Sequence, residues 1–187
     1  MEFVRVNPEV IVAAEPLVAV SAAQVGSLRA QAAGNARRRM RLCAHRNAAD
    51  KVNEMIIALS RGTYVRPHRH RAKSESFHII AGRLDVVVFD DSGRLARVIP
   101  MGDYASQKTF YCRLSTASYH TVIIRSESAV FHETVPGPFD RSDTEWAPWA
   151  PAEDDASGSR RYFADLAASA RLRTRPARAR RPRPSPR

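Results

Sequence analysis

With 187 residues, 44% of them hydrophobic and 26% charged, the chain has the make-up of one soluble globular domain with extensions, which excludes a fibrous or low-complexity polymer. No run of about 18 apolar residues occurs, which excludes a membrane-spanning helix. The formal charge of +11 is unevenly placed: residues 171–187 hold eight arginines and no acid, so they carry +8 and the preceding 170 residues +3, and the basicity belongs to a tail.

Residues 1–20 read as short strand material, with Val4, Val6, Val10, Ile11 and Val12 interrupted by Pro8 and Pro16. Glu9, Glu15 and Pro16 also break the apolar stretch around Val10–Val25, which reads against a secretion signal. Ser21 to Gly34 predicts a helix, capped by Ser21 and carrying Val25, Leu28 and Ala32 at helical spacing, with Gly34-Asn35 as its stop. These elements form an N-terminal extension over residues 1–35. Ala36 to His45 then alternates: Met40, Leu42 and Ala44 share one face, and Arg39, Arg41, Cys43 and His45 the other. That polar face points either at an interior ligand site or at solvent, and both readings stand for Arg41 and His45. Asp50 to Leu59 fits a short helix or turn, with Asp50 as cap and Val52, Met55, Ile56 and Leu59 as its apolar stripe. Cys43 and Cys112 are too few for a disulfide framework and read as buried free thiols in a reducing, cytoplasmic setting, with pairing between them left open.

The chemistry-bearing stretch is Gly62 to Gly82, GTYVRPHRHRAKSESFHIIAG. A strand over Thr63–His70 turns His68 and His70 to one face, together with Tyr64 and Arg66. A hairpin into the next apolar run folds Glu75 onto that pair. The bland alternative is an exposed basic hairpin, since Arg66, Arg69, Arg71 and Lys73 surround the histidines. Further short strands follow, from Leu84 to Phe89, Arg94 to Ile99, Phe110 to Leu114, Tyr119 to Arg125 and Ala129 to Val135, separated by turns such as Asp90-Asp91-Ser92-Gly93. Frequent turns between short strands indicate a sandwich or barrel, not alternating β-α units. His78 and His132 fall opposite Glu75 and Glu133 on their strands and read as structural.

Gly62, His68, His70, Glu75 and Gly82 stand at the intervals of the first motif of metal-binding cupins, and Ser115 to His120 resembles the second, Pro-x-Gly-x-x-His, with serine in place of proline and alanine in place of glycine. Over roughly residues 5–151 the chain resembles the WbuC-type cupin-fold metalloproteins, through ARRRMRLCAH, GTYVRPHRH, ESFHIIAG, VVVFDDSGRL, HETVPGPF and WAPWAP. The resemblance implies a mainly β fold: a cupin barrel (double-stranded β-helix, or jelly roll) over residues 36–151, with one or two short N-terminal helices. It also implies a site in which His68, His70, Glu75 and His120 hold one divalent transition-metal ion: iron, manganese, nickel or zinc. A homodimer and a setting in bacterial cell-surface polysaccharide biosynthesis come by the same route. Residues 152–187 lie outside the resemblance. They read as an acidic linker and a largely disordered Arg/Pro-rich tail, with a short helix over Arg160–Arg173 as the one structured element. Residues 171–187 either bind polyanions weakly or are simply solvated.

An ion with open positions polarises a carbonyl or acidifies bound water. Arg66 is a candidate holder of a carboxylate or phosphate. Tyr64 is either a proton donor or a ring packed at the barrel end. Glu133, on one face with Phe131, is a partner to the ligands or a general base. Three function classes follow: a small metal-dependent enzyme of isomerase or oxygenase type acting on a sugar-derived or small acidic metabolite; a ligand-binding cupin without turnover; and a polyanion-binding protein working through its tail.

Overall fold

The computed structural model describes residues 2–174. Its strands are β1 (Phe3–Asn7), β2 (Val10–Ala13), β3 (Arg39–Cys43), β4 (Val52–Ser60), β5 (His68–His70), β6 (Glu75–Ala81), β7 (Arg83–Phe89), β8 (Leu95–Gly102), β9 (Tyr111–Leu114), β10 (His120–Ile124), β11 (Ser128–Pro136) and β12 (Thr144–Trp146). Two helices flank them, α1 (Ala22–Gly34) and α2 (Ala156–Thr174). One sheet has the order β1-β2-β3-β4-β11-β6-β9 and the other β12-β5-β10-β7-β8. The pairings are antiparallel except β2 with β3.

The sheets face each other around an apolar core that includes Met55, Ile57, Phe77, Val86, Val122 and Phe131. The outer face of the larger sheet is closed by α1, whose Leu28 and Ala32 pack on Met40, Leu42, Ala58 and Val130. The outer face of the smaller sheet is closed by α2, whose Leu166 and Ala170 join Val87, Phe89 and Ile123. The molecule is therefore four layers deep, helix, sheet, sheet, helix, and is the mainly β cupin-type barrel expected. Among the described residues no helix is long and apolar enough to cross a membrane.

Helix α1 begins as its sequence requires. The Ser21 side chain accepts from the Gln24 backbone N–H, and the Gln24 side chain answers at the Ser21 backbone N–H, a reciprocal cap. The two motif glycines both sit in the left-handed region, Gly62 at φ +88° and Gly82 at φ +80°. At Gly82 a Cβ would also lie 2.2 Å from the Ser128 carbonyl oxygen, so the β6–β7 corner has no room for a side chain.

Three expectations are corrected. The segment Asp50–Leu59, read as a helix or turn, contains strand β4 instead. Its inward residues Met55, Ile57 and Leu59 line the barrel while Ile56 and Ala58 meet α1. With both faces buried the strand shows no polar alternation, and its apolar positions mimic a helical stripe. The strand expected over Thr63–His70 is confined to His68–His70. Upstream, Pro67 has no N–H to give a ladder, and residues 63–67 are held by side-chain and loop bonds such as Thr121 Oγ1 to the Val65 carbonyl (2.6 Å). Within 152–187, the short helix expected over Arg160–Arg173 is present but longer, the 19-residue α2 that starts at Ala156 in the stretch read as linker. Asp155, one of the acids that suggested a linker, accepts from the Gly158 backbone N–H at 2.9 Å as the helix cap, and the apolar face of the helix covers the sheet. Residues 175–187, with the disorder and polyanion readings attached to them, lie outside the described residues.

Candidate metal centre

The first residue of β10, His120, pairs in register with His68 of β5, and β12 sets Trp146 opposite His68 and Thr144 opposite His70. A two-residue period then turns His68 and His70 the same way, into the barrel. From the facing sheet, Glu75 opens β6 and is buried. The imidazole centroids lie close together: 4.7 Å for His68–His120, 5.3 Å for His68–His70 and 6.2 Å for His70–His120. The four side chains named from sequence spacing are thus brought to one place.

The outer nitrogens of these rings are already engaged. His68 Nδ1 is 2.9 Å from the Arg66 carbonyl oxygen and His120 Nδ1 is 3.0 Å from that of Ser118, so in the neutral rings each Nδ1–H donates to a carbonyl. His70 Nδ1 is 3.4 Å from Thr144 Oγ1. That leaves Nε2 of His120 against Glu75 Oε1, and Nε2 of His70 3.6 Å from Glu75 Oε2. Among the described residues no three His, Cys, Asp or Glu side chains hold their donors at the separations of a formed ion shell, because the carboxylate is packed directly onto the imidazole.

The donor set nevertheless fits a divalent first-row ion. It offers imidazole nitrogens whose far sides are fixed by carbonyls, and a buried carboxylate between them. The electrostatics agree. Burial, then the adjacent His120 ring, pushes His68 down to about 4, which keeps its ring neutral. Burial alone pushes Glu75 up, but His120, His70 and His68 more than offset it and hold the carboxyl below its usual range. At His120 burial works downward, and the Glu75 carboxylate more than offsets it, so this imidazole holds a proton more firmly than usual.

The other candidate residues separate. The Tyr64 hydroxyl donates to the Pro151 carbonyl at 2.8 Å and its ring meets Tyr162 and Phe163 of α2, each at 6.2 Å, so Tyr64 is the ring packed at the barrel end. Arg66 donates from Nη2 to the Ala147 carbonyl at 3.1 Å and lies 5.9 Å from the Trp146 ring centre. Strand parity places neither, because the chain before His68 is not strand, and Arg66 stays beside the Trp146 ring that packs against His68 at 5.4 Å. Glu133 does face the interior: it pairs with Met55 and Phe77, both core residues. Burial and then Glu75 push its carboxyl up to about 7, against the pull of Arg41, His70 and His120.

Arg41 resolves to the interior reading. It lies on the β3 face of Cys43, a core residue, and its Nε is buried without a partner. Asn53, from the inward face of β4, likewise buries an unpartnered Oδ1. Asn53 went unrecognised because a helix reading hides the alternation that carries it. His45, past the end of β3, sits 3.1 Å from backbone atoms of Glu54 at the surface. His78 is exposed beside Phe110, and His132 approaches Glu54 at 3.6 Å, so neither joins the centre. Both cysteines are buried and free. Two surface grooves, of about 400 Å³ beside Asn7 and Arg37 and about 560 Å³ beside Arg29 and Arg61, lie outside the barrel and do not lead to the histidines.

A family model described as "Domain of unknown function (DUF6016)" matches residues 20–101. No curated protein matches the chain. Among solved structures, the chain is similar to protein SO0799 from Shewanella oneidensis, at 14% identity and a TM-score of 0.50 over 73% of this chain and 87% of that one. It is also similar to the cupin domain of Cnp3 from Schizosaccharomyces pombe, at 13% identity and 0.42 over 54% and 65%. A third is Streptomyces Pac13, described as a nucleoside dehydratase, at 13% and 0.41 over 52% and 70%. At 14% identity the likeness to the Shewanella protein concerns the fold alone. That fold, two facing sheets with a His-x-His pair on one and a glutamate on the other, is the cupin barrel.

Proposed function

We propose that this chain is a metal-binding cupin of the WbuC type. In this reading it works as a small metal-dependent enzyme, of isomerase or oxygenase type, on a small acidic, sugar-derived metabolite. The observation that carries the reading is the orientation of the imidazoles: the Nδ1 atoms of His68 and His120 are tied to carbonyls while their rings converge with His70 on the Glu75 carboxylate. When bound, a divalent ion supplies Lewis acidity to a carbonyl or a water molecule.

The remaining steps belong to the chain's own residues. Arg41 joins Arg66 as a basic group offered to an acidic ligand, since the Nε of each is buried and unpartnered. Glu133 takes or gives the proton, since a carboxyl held near 7 exchanges one readily at neutral pH. The Phe77 ring, 6.2 Å from His120, keeps water from that side of the imidazole.

Elemental analysis of the purified protein tests the reading. The expected result is about one divalent ion per chain, lost to below a tenth in His68→Ala and His120→Ala. Equal metal content in wild type and both variants would overturn it. A ligand-binding cupin without turnover is separated from the enzyme by Glu133→Gln, which leaves ligand affinity intact in both cases and abolishes turnover only in an enzyme.

A further inference from the structure

The groove of about 560 Å³ on the outside of the barrel has a chemistry of its own. It lies between one face of α1 (Gly26, Arg29, Ala30, Ala33), the turn leading into β3 (Arg38), the end of β4 and its following turn (Ser60, Arg61), and the β10–β11 turn (Glu127, Ser128). Its arginines come from different elements, and among the described residues none of them forms an ion pair with a carboxylate. Elsewhere in this molecule arginines such as 37, 39, 69 and 125 do find acids. Like charges gathered without counter-charge repel one another, and a bound anion removes that cost.

Each guanidinium is also held in place by neutral acceptors, which leaves other N–H groups uncommitted. Arg29 donates from Nε to Ser128 Oγ at 2.8 Å. Arg38 donates from Nη1 to the Arg61 carbonyl at 3.3 Å. Arg61 donates from Nε and Nη2 to the carbonyls of Ser126 and Arg125, each at 3.1 Å. Both Nη groups of Arg29, the Nη2 group of Arg38 and the Nη1 group of Arg61 remain. Arg38 is a further sign: its backbone sits at φ +56°, a left-handed conformation that side-chain-bearing residues avoid and that collects at ligand sites. The floor is bare, since a Cβ at Gly26 would meet nothing within 4 Å. Glu127 is the one acid in the lining, so the groove keeps a net positive charge.

We propose that this groove binds the phosphate group of a small phosphorylated molecule. A planar carboxylate is satisfied by one bidentate guanidinium, whereas a phosphomonoester presents three acceptor oxygens and a charge of about −1.5 to −2. Guanidiniums reaching in from three elements match the second geometry. The volume exceeds that of a phosphate ion and leaves space for the organic part. The groove is separate from the histidine centre: Glu75 opens β6, whereas Gly82, which abuts Ser128, follows the far end of that strand, roughly 20 Å away. The site stands whether or not the barrel holds an ion.

Calorimetric titration of the full-length protein with glycerol 3-phosphate tests it. Gly26→Glu places a carboxylate over the floor without a clash, keeps every arginine and removes a helix-weakening glycine, so its fold is safe. Binding is expected to weaken at least tenfold in Gly26→Glu and in Arg38→Gln, and to stay within twofold of wild type in His68→Ala. Succinate, of similar charge, is expected to bind at least tenfold more weakly than glycerol 3-phosphate. No binding by wild type, undiminished binding in Gly26→Glu, or equal binding of succinate would each overturn the proposal. A loss in His68→Ala alone would move the phosphate into the barrel and overturn it as well.

Discussion

His120 shows how much one ring can be asked to do. One nitrogen is fixed by the Ser118 carbonyl, which orients the ring, and the other meets Glu75, which sets its charge. Glu75→Gln removes the only anionic member of the set, and ion affinity is expected to fall at least tenfold while the fold persists; competition against a chelating dye reads this directly. Glu133 makes a pH prediction. Its carboxyl is raised from 4.5 to about 7, so the native state keeps a proton that the unfolded chain gives up in that window. Stability of the metal-free protein therefore falls as pH rises from about 4.5 to about 7, and the whole cost is present above that. Glu133→Gln lacks this slope: its melting temperature relative to wild type should climb between pH 5 and pH 7.5, and a constant difference would refute the assignment. Arg38 carries the opposite kind of strain. Arg38→Gly relieves the left-handed backbone and is expected to raise stability by about 1 kcal/mol in denaturant melts.

At the scale of elements, legibility tracked how many faces each segment buries. Helix α1 was read to within a residue because a capping serine, a helical stripe and a glycine stop agree over Ser21–Gly34. The convergence of His68, His70, Glu75 and His120 was legible because strand parity and motif spacing constrain it locally. Strand β4 was not, since it is covered on both sides and presents no alternation. The parity argument for Tyr64 and Arg66 fails for a related reason: parity carries a side chain to a face only while the backbone remains a strand, and β5 begins at His68. The start of α2 was missed because its capping Asp155 sits in an acidic run with the composition of a linker. Both helices should matter to stability. Leu28→Ala and Leu166→Ala each remove a buried side chain at a helix–sheet contact and are expected to cost about 2–5 kcal/mol, whereas Leu172→Ala, at 70% exposure, should cost less than about 0.5 kcal/mol.

For the whole molecule, charge and architecture divide the labour. At the histidine end Glu75, Glu133 and Arg41 meet the imidazoles, while a second buried charged pair, Asp85 with Arg125, lies toward the far end of β10. The outer basic groove stands at the other end of β10. Composition forecast neither, because a net charge carries no address, and the eight arginines of the last segment dominate it.

The helix–sheet–sheet–helix sandwich also restricts how copies of this chain can assemble. Since α1 and α2 cover the outer faces of the two sheets, a copy approaching either face meets a helix, not strands. The rim at β1 is different: it is the terminal strand of the larger sheet, it carries exposed Val4 and Val6, and its unpaired backbone faces water. A strand added at that edge would extend the larger sheet, so Arg5→Pro, which removes an outward-facing backbone donor there, is expected to weaken any pairing through β1 in light scattering.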